Sequence, residues 1–189
     1  MPSPTIKQLI SRGRGVMEAE RFEQFTLDSP QVLGESAQEL MSKIPPSFGA
    51  CAMISSMWAA YLNDNFSVPA IVVAGDLKIS GKTIFKCKKN LPEPTKSGNI
   101  VSANWDGHCW IEIDGWIGDL SIFRTAYQIQ GASHLKEFIL SNFGSGRGAL
   151  ISGKSDLPLG MKYIPKYVLK DNQIDSLIGG LAYQVENGI

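Results

Sequence analysis

Histidine and cysteine are scarce in this chain of 189 residues, at two and three copies. Cys51, Cys87 and Cys109 are too few and too widely placed for a disulfide framework, and none stands in the C-x-x-C spacing of a zinc site. Excess charge is missing too: 18 Lys and Arg balance 18 Asp and Glu, so the basic face of a nucleic-acid binder is not expected. The cationic cluster "KCKKN" at 86–90 reads as a solvated loop or sheet edge. No apolar run approaches the ~18 residues of a membrane span. The opening "MPSPTIKQLISRGRG" turns polar before a signal-peptide core could form. These absences lead us to expect no nucleic-acid partner, no membrane partner and a reducing, cytoplasmic location. What remains is 43% hydrophobic and 19% charged, ordinary for a globular protein. The length suits one domain over 1–189 with a substantial core.

Apolar spacing predicts a helix over 5–25 that Gly13 and Gly15 weaken in its middle, so that two pieces are expected. A shorter helix follows at 34–43 and ends at Pro45 and Pro46. From Ala50 to Leu62 only Ser55 and Ser56 are not apolar, which places that helix in the protein's centre. "VPAIVVAGDL" at 68–77 reads as a buried strand. Further strands are expected near 82–87, 122–128, 148–152 and 160–169, with a helix at 133–143 capped by Ser133. The tail forms a closing helix despite Gly179 and Gly180. Helices come first and strands later, with few alternating βα units, so the class is α+β.

The densest stretch is "GHCWIEIDGWIGDLS" at 107–121. Asp114-Gly115 between two apolar runs is a strong hairpin signal, because a type I′ turn needs positive φ at both positions. A two-residue turn pairs Ile113 with Trp116, Trp110 with Asp119 and His108 with Ser121. Alternation then puts Cys109, Ile111, Ile113, Trp116 and Leu120 on a core face. His108, Trp110, Glu112, Ile117, Asp119 and Ser121 share the other. Asp119 lies diagonal to His108, roughly 7–8 Å away at the backbone and within reach of its ring. A carboxylate there can fix one ring nitrogen and leave the other for proton transfer. Glu112 is the alternative partner, and Asp106 a weaker one.

Cys51 is the candidate nucleophile. A helix starting near Ser47–Ala50 puts its thiol in the first turn, where unpaired N–H groups and the helix dipole favour the thiolate and could stabilise an oxyanion. Gly49 would let another backbone approach closely. Cys87, beside lysines, is a second reactive candidate on an expected edge or loop, whereas Cys109 sits on the core face.

These segments resemble the transglutaminase-like core of the papain-like cysteine proteinase superfamily. The residues that carry the resemblance are Gly49 and Cys51 in "FGACAMISSMWAAYL", the strand "SVPAIVVAG" at 67–75, "HCWIE" from His108, and "GWIGD" ending at Asp119. Together they span roughly 49–121. The resemblance implies a Cys-bearing helix packed on an antiparallel sheet, with Cys51 as nucleophile, His108 as general base then acid, and Asp119 as the orienting carboxylate. Leu120-Ser121 departs from the family's usual continuation after the acid. No motif identifies an oxyanion side chain; Gln31, Gln38 and Asn104 are the candidates.

"GALISGKS" at 148–155 satisfies the phosphate-loop pattern, but Pro158 and Gly160 would break the helix that such a loop must open. A strand is the better reading, and no nucleotide site is expected. His134, with no acid or cysteine near it in sequence, reads as a surface residue. The expected function is a cysteine-dependent hydrolase or acyltransferase acting on a peptide or small amide or ester, with no metal or organic cofactor. Trp105 and Trp110 are candidate cleft residues. The competing reading is a catalytically inactive relative that binds a peptide or small ligand. The sequence leaves the substrate and the oligomeric state open.

Overall fold

One strand, β1 (Ile71–Ile79), organises the sheet, and it is buried along nearly its whole length. This explains why its sequence is a near-continuous apolar run rather than an alternating one. The computed structural model describes residues 4–44, 51–94 and 105–188. Along one edge of β1 run β3 (His108–Ile113) and then β2 (Lys82–Phe85); along the other runs β6 (Met161–Val168). Beyond β3 the order continues through β4 (Trp116–Asp119) to β5 (Leu150–Gly153), and every pairing is antiparallel.

Seven helices accompany the sheet among the described residues: α1 (Ile6–Arg14), α2 (Val16–Gln24), α3 (Gln31–Lys43), α4 (Cys51–Phe66), α5 (Ile122–Gln128), α6 (His134–Phe143) and α7 (Asp171–Asn187). The class is α+β, as expected. α1 opens with a capping box in which Thr5 and Gln8 satisfy one another's backbone N–H. It separates from α2 at Gly15, where φ of 96° is a conformation glycine tolerates. α6 starts as expected, with the Ser133 hydroxyl accepting from Lys136 N. α7 runs unbroken through Gly179-Gly180, with the buried Gln173 donating to the Leu91 carbonyl at 2.8 Å.

Both faces of the sheet are covered. α3, α4 and α7 bury Trp58, Leu62 and Leu177 against Cys109, Ile111 and Ile113. α1 and α2 bring Ile10 and Phe22 onto the opposite face, against Val73, Trp110 and Ile117. α5 and α6 form a third cluster with Leu77, Ile79 and Met161.

The hairpin has the expected register, with Ile113 opposite Trp116, Glu112 opposite Ile117 and Ile111 opposite Gly118. Asp114 and Gly115 both take positive φ, 40° and 77°. Its second face is not an open polar surface: His108, Trp110, Glu112 and Asp119 are all buried.

The expected strand at 122–128 is instead helix α5. The Asp119 Oδ1 atom accepts from Ser121 N, Ser121 Oγ and Ile122 N at 2.9–3.0 Å, turning the chain out of β4. Ile122, Phe123 and Ala126 then fall on one buried helical face. Strand propensity, which mostly reports the surroundings a side chain meets, loses to that context. Val68–Ala70, expected within a strand, precede β1 in an irregular segment where Val68 N donates to Leu62 O. The helix end at Pro45-Pro46 and the helix start at Ser47–Ala50 lie outside the described residues, as does Gly49.

Gly75 pairs with His108 across β1 and β3. A Cβ there would lie 2.1 Å from the Ile164 carbonyl oxygen and 2.6 Å from the Trp110 ring. Since a backbone atom cannot yield as a side chain does, Gly75→Ala is expected to destabilise the fold by about 3 kcal/mol, read as a lower urea midpoint.

Candidate active site

Helix α4 lies on β3, and one contact fixes the register between them: Ser55 Oγ donates to the Cys109 carbonyl at 3.2 Å. Cys51 is four residues earlier on the same helical face. It is partly exposed, and its thiol is placed so that the His108 and Cys109 side chains both act on it. His108 opens β3, and its Nε2 meets Asp119 Oδ2 at 2.5 Å. With Nε2 so engaged, Nδ1 is the ring nitrogen left for the sulfur. The three residues singled out in the sequence converge.

The imidazole is held from several sides. Phe85 stacks on it with ring centroids 4.9 Å apart and planes 14° apart. Trp110 and Tyr163 flank it at 6.3 and 6.1 Å. Asp119 is fully buried, and its remaining bonds leave little freedom: three donors hold Oδ1, while the Tyr163 hydroxyl donates to Oδ2 at 2.8 Å.

Electrostatics favour a thiolate beside an imidazolium. The hydrogen bond from Cys109 is the largest influence on Cys51. Together with the bond and charge of His108 it outweighs burial and holds the Cys51 thiol well below its ordinary value. Burial works against a charged His108, but the Asp119 charge and hydrogen bond, helped by Cys51, carry its pKa up to about 10. Burial alone would raise Asp119; the His108 charge and the bonds from His108, Ser121 and Tyr163 bring it below the usual carboxylate value. Cys109 is pushed well up, first by burial and then by the Cys51 sulfur, so it remains the donor of the pair. Cys87, expected at an edge or in a loop, is buried, and burial followed by the Asp76 charge lifts it to about 11. A thiol so raised is a poor nucleophile at neutral pH.

The alternative acids have other partners. Glu112 accepts from Trp110 Nε1 at 3.1 Å and pairs with Lys154 at 2.5 Å. Asp106 pairs with Lys88 at 3.2 Å. Trp110 does not line a cleft as expected: it is fully buried and forms part of the wall beside His108. Trp105 is half-buried, donates to the Lys89 carbonyl at 2.8 Å, and borders a cavity of about 450 Å³ with Lys88, Lys89 and Asp106. Gln31 is engaged by Glu35, and Gln38 lines a groove between α3 and β5. Asn104 lies outside the described residues. His134 is less open than expected, with Nε2 against the Ile79 carbonyl at 3.0 Å.

Sequence reasoning missed three contributors: Cys109 as donor to Cys51, Phe85 as the ring over His108, and Tyr163. Each depends on contacts between distant segments, and no local spacing announces them.

No family model, curated protein or solved structure matches this chain. Among the described residues, no helix is long and apolar enough to cross a membrane, and no cluster of three or more His, Cys, Asp or Glu could hold a metal.

Lys154, the lysine of the phosphate-loop pattern, follows β5 directly and opens a three-residue 3-10 turn rather than an α-helix. Its ammonium neutralises the buried Glu112. Lys154→Ala is expected to lower unfolding stability by about 2 kcal/mol, because the carboxylate loses its charged partner. Titration with ATP is expected to give no binding signal for either protein.

Proposed function

We propose that this protein is a cysteine-dependent acyl hydrolase or acyltransferase of the transglutaminase-like, papain-like kind, acting on a peptide or a small amide, ester or thioester. The observation that carries the reading is the buried pair of Asp119 Oδ2 and His108 Nε2 beside Cys51, where the surrounding groups favour the thiolate. That chemistry needs a nucleophile, an adjacent proton carrier and a group fixing the carrier's tautomer.

Cys51 Sγ attacks the substrate carbonyl and forms a carbon–sulfur bond, placing negative charge on the carbonyl oxygen. As the tetrahedral species collapses, the bond to the leaving amine or alkoxide breaks, and His108 donates its Nδ1 proton to that group. The thioester on Cys51 is then attacked by water or an amine whose proton passes to His108, and the thiolate departs. Asp119 keeps the Nε2 proton throughout in its hydrogen bond. Hydrolysis and transfer differ only in the acceptor admitted.

Incubation with p-nitrophenyl acetate tests the reading. A burst of one nitrophenolate per protein is expected, with a single acetyl group mapped to Cys51. Cys51→Ala and His108→Ala are each expected to abolish the burst. Steady release without acyl-Cys51, unchanged in both variants, would leave the chain as a non-catalytic binding module.

A further inference from the structure

The Tyr163 hydroxyl and His108 Nε2 converge on one oxygen, Asp119 Oδ2, at 2.8 and 2.5 Å. Tyr163 arrives from β6, 44 residues beyond Asp119, and its ring packs edge-on against Trp110 at 5.0 Å. The phenol is thus held by packing as well as by its bond. Burial and the Asp119 charge keep its proton on, well above the ordinary tyrosine range, so it remains a donor wherever the site could work.

We infer that Tyr163 is a positioning residue that sets the basicity of His108 through the carboxylate they share. This rests on the triad proposed above. A carboxylate oxygen that accepts from a phenol has less electron density to offer the imidazolium, so the bond to Tyr163 restrains how strongly Asp119 holds the proton on His108. With three donors already on Oδ1, the carboxylate cannot rotate to escape the competition. Catalysis needs this restraint: an imidazolium held too firmly is a poor acid when the leaving group departs.

Among the described residues, few charged and titratable groups surround the imidazole. Cys51 faces it from α4, Asp119 from β4 and Tyr163 through Asp119 from β6, with Cys109 adjacent on β3. Phe85, from β2, brings no charge. Glu112 is satisfied by Lys154 and Trp110.

The chain has two histidines, so ¹⁵N-histidine NMR can follow His108 and His134 separately across pH. Tyr163→Phe keeps the ring and removes the bond; the His108 deprotonation midpoint is expected to rise by about one pH unit, the order of one hydrogen bond to a charged group. Replacing Tyr163 with 3-fluorotyrosine preserves the packing and strengthens the donor, so the midpoint should fall. That second substitution supplies the reading if the phenylalanine variant folds poorly. Midpoints equal to a raised wild-type value in both variants would overturn the role of Tyr163 while leaving the triad standing. A wild-type His108 titrating near its ordinary ~6.5 would overturn the triad and this role together.

Discussion

Iodoacetamide at neutral pH is expected to label Cys51 and spare Cys87 and Cys109, with a selectivity of about a hundredfold or more. A thiol lifted to about 11 is ionised in roughly one molecule in ten thousand at pH 7, whereas a thiolate paired with imidazolium is ionised throughout. The low-pKa sulfur is intrinsically the weaker nucleophile, which returns part of that advantage to Cys87. Burial of Cys87 and Cys109 widens the gap again. Labelling of Cys51 should persist well below the ~8.5 of a free thiol. In His108→Ala it should decline toward the acid side at a higher pH than in the wild type, because the bond and charge of His108 are lost while the Cys109 hydrogen bond remains. Peptide mapping after short exposures at pH 5.5, 7 and 8.5 checks both statements. Comparable slow labelling of all three cysteines would remove the basis for nucleophilic catalysis.

The main elements were legible where local chemistry decides. The Asp114-Gly115 turn set the hairpin register, and with it the diagonal from His108 to Asp119. The glycine at 15 divided the first helix, and Ser133 marked the start of another. Where the sequence misled, a long-range contact had overruled a local preference. Residues 122–128 carry strand-favouring side chains, yet the Asp119 carboxylate turns them into a helix. Trp110 looked like a cleft residue because it shares a face with His108, but α1 and α2 cover that face. Cys109, assigned to the core by alternation, is in the core and also reaches Cys51, since the helix bearing Cys51 packs on that same side. Tyr163 could not have been found: its place depends on β6 pairing beside β1, a topology that no local spacing dictates.

Asp119→Asn is expected to be about as damaging as deleting the side chain, with the acylation rate falling roughly 10³–10⁴-fold, the scale known for a triad carrying the wrong tautomer. An amide has one accepting end. Oδ1 of Asp119 receives two backbone N–H groups and a hydroxyl, so the amide oxygen must occupy that position. Its NH₂ then replaces Oδ2 and points at His108 Nε2 and the Tyr163 hydroxyl. A donor facing Nε2 forces the ring's proton onto Nδ1, leaving no lone pair to take a proton from Cys51. The ion pair is lost even though the volume is unchanged. Stability should report the same event. The raised His108 contributes stability that is complete below ~6.5 and lost as pH climbs through about 10. The depressed Cys51 contributes stability that is complete above ~8.5 and lost as pH falls through its folded value. Between ~6.5 and ~8.5 the two slopes cancel, so wild-type stability is expected to form a plateau there and decline on either side. In Asp119→Asn the alkaline shoulder should flatten, because His108 loses the carboxylate that raises it, and the acid shoulder should shrink to what the Cys109 hydrogen bond still gives Cys51. Urea unfolding at half-unit steps from pH 5 to 10 measures this. A variant curve that keeps both shoulders would show that the carboxylate does not hold the ion pair.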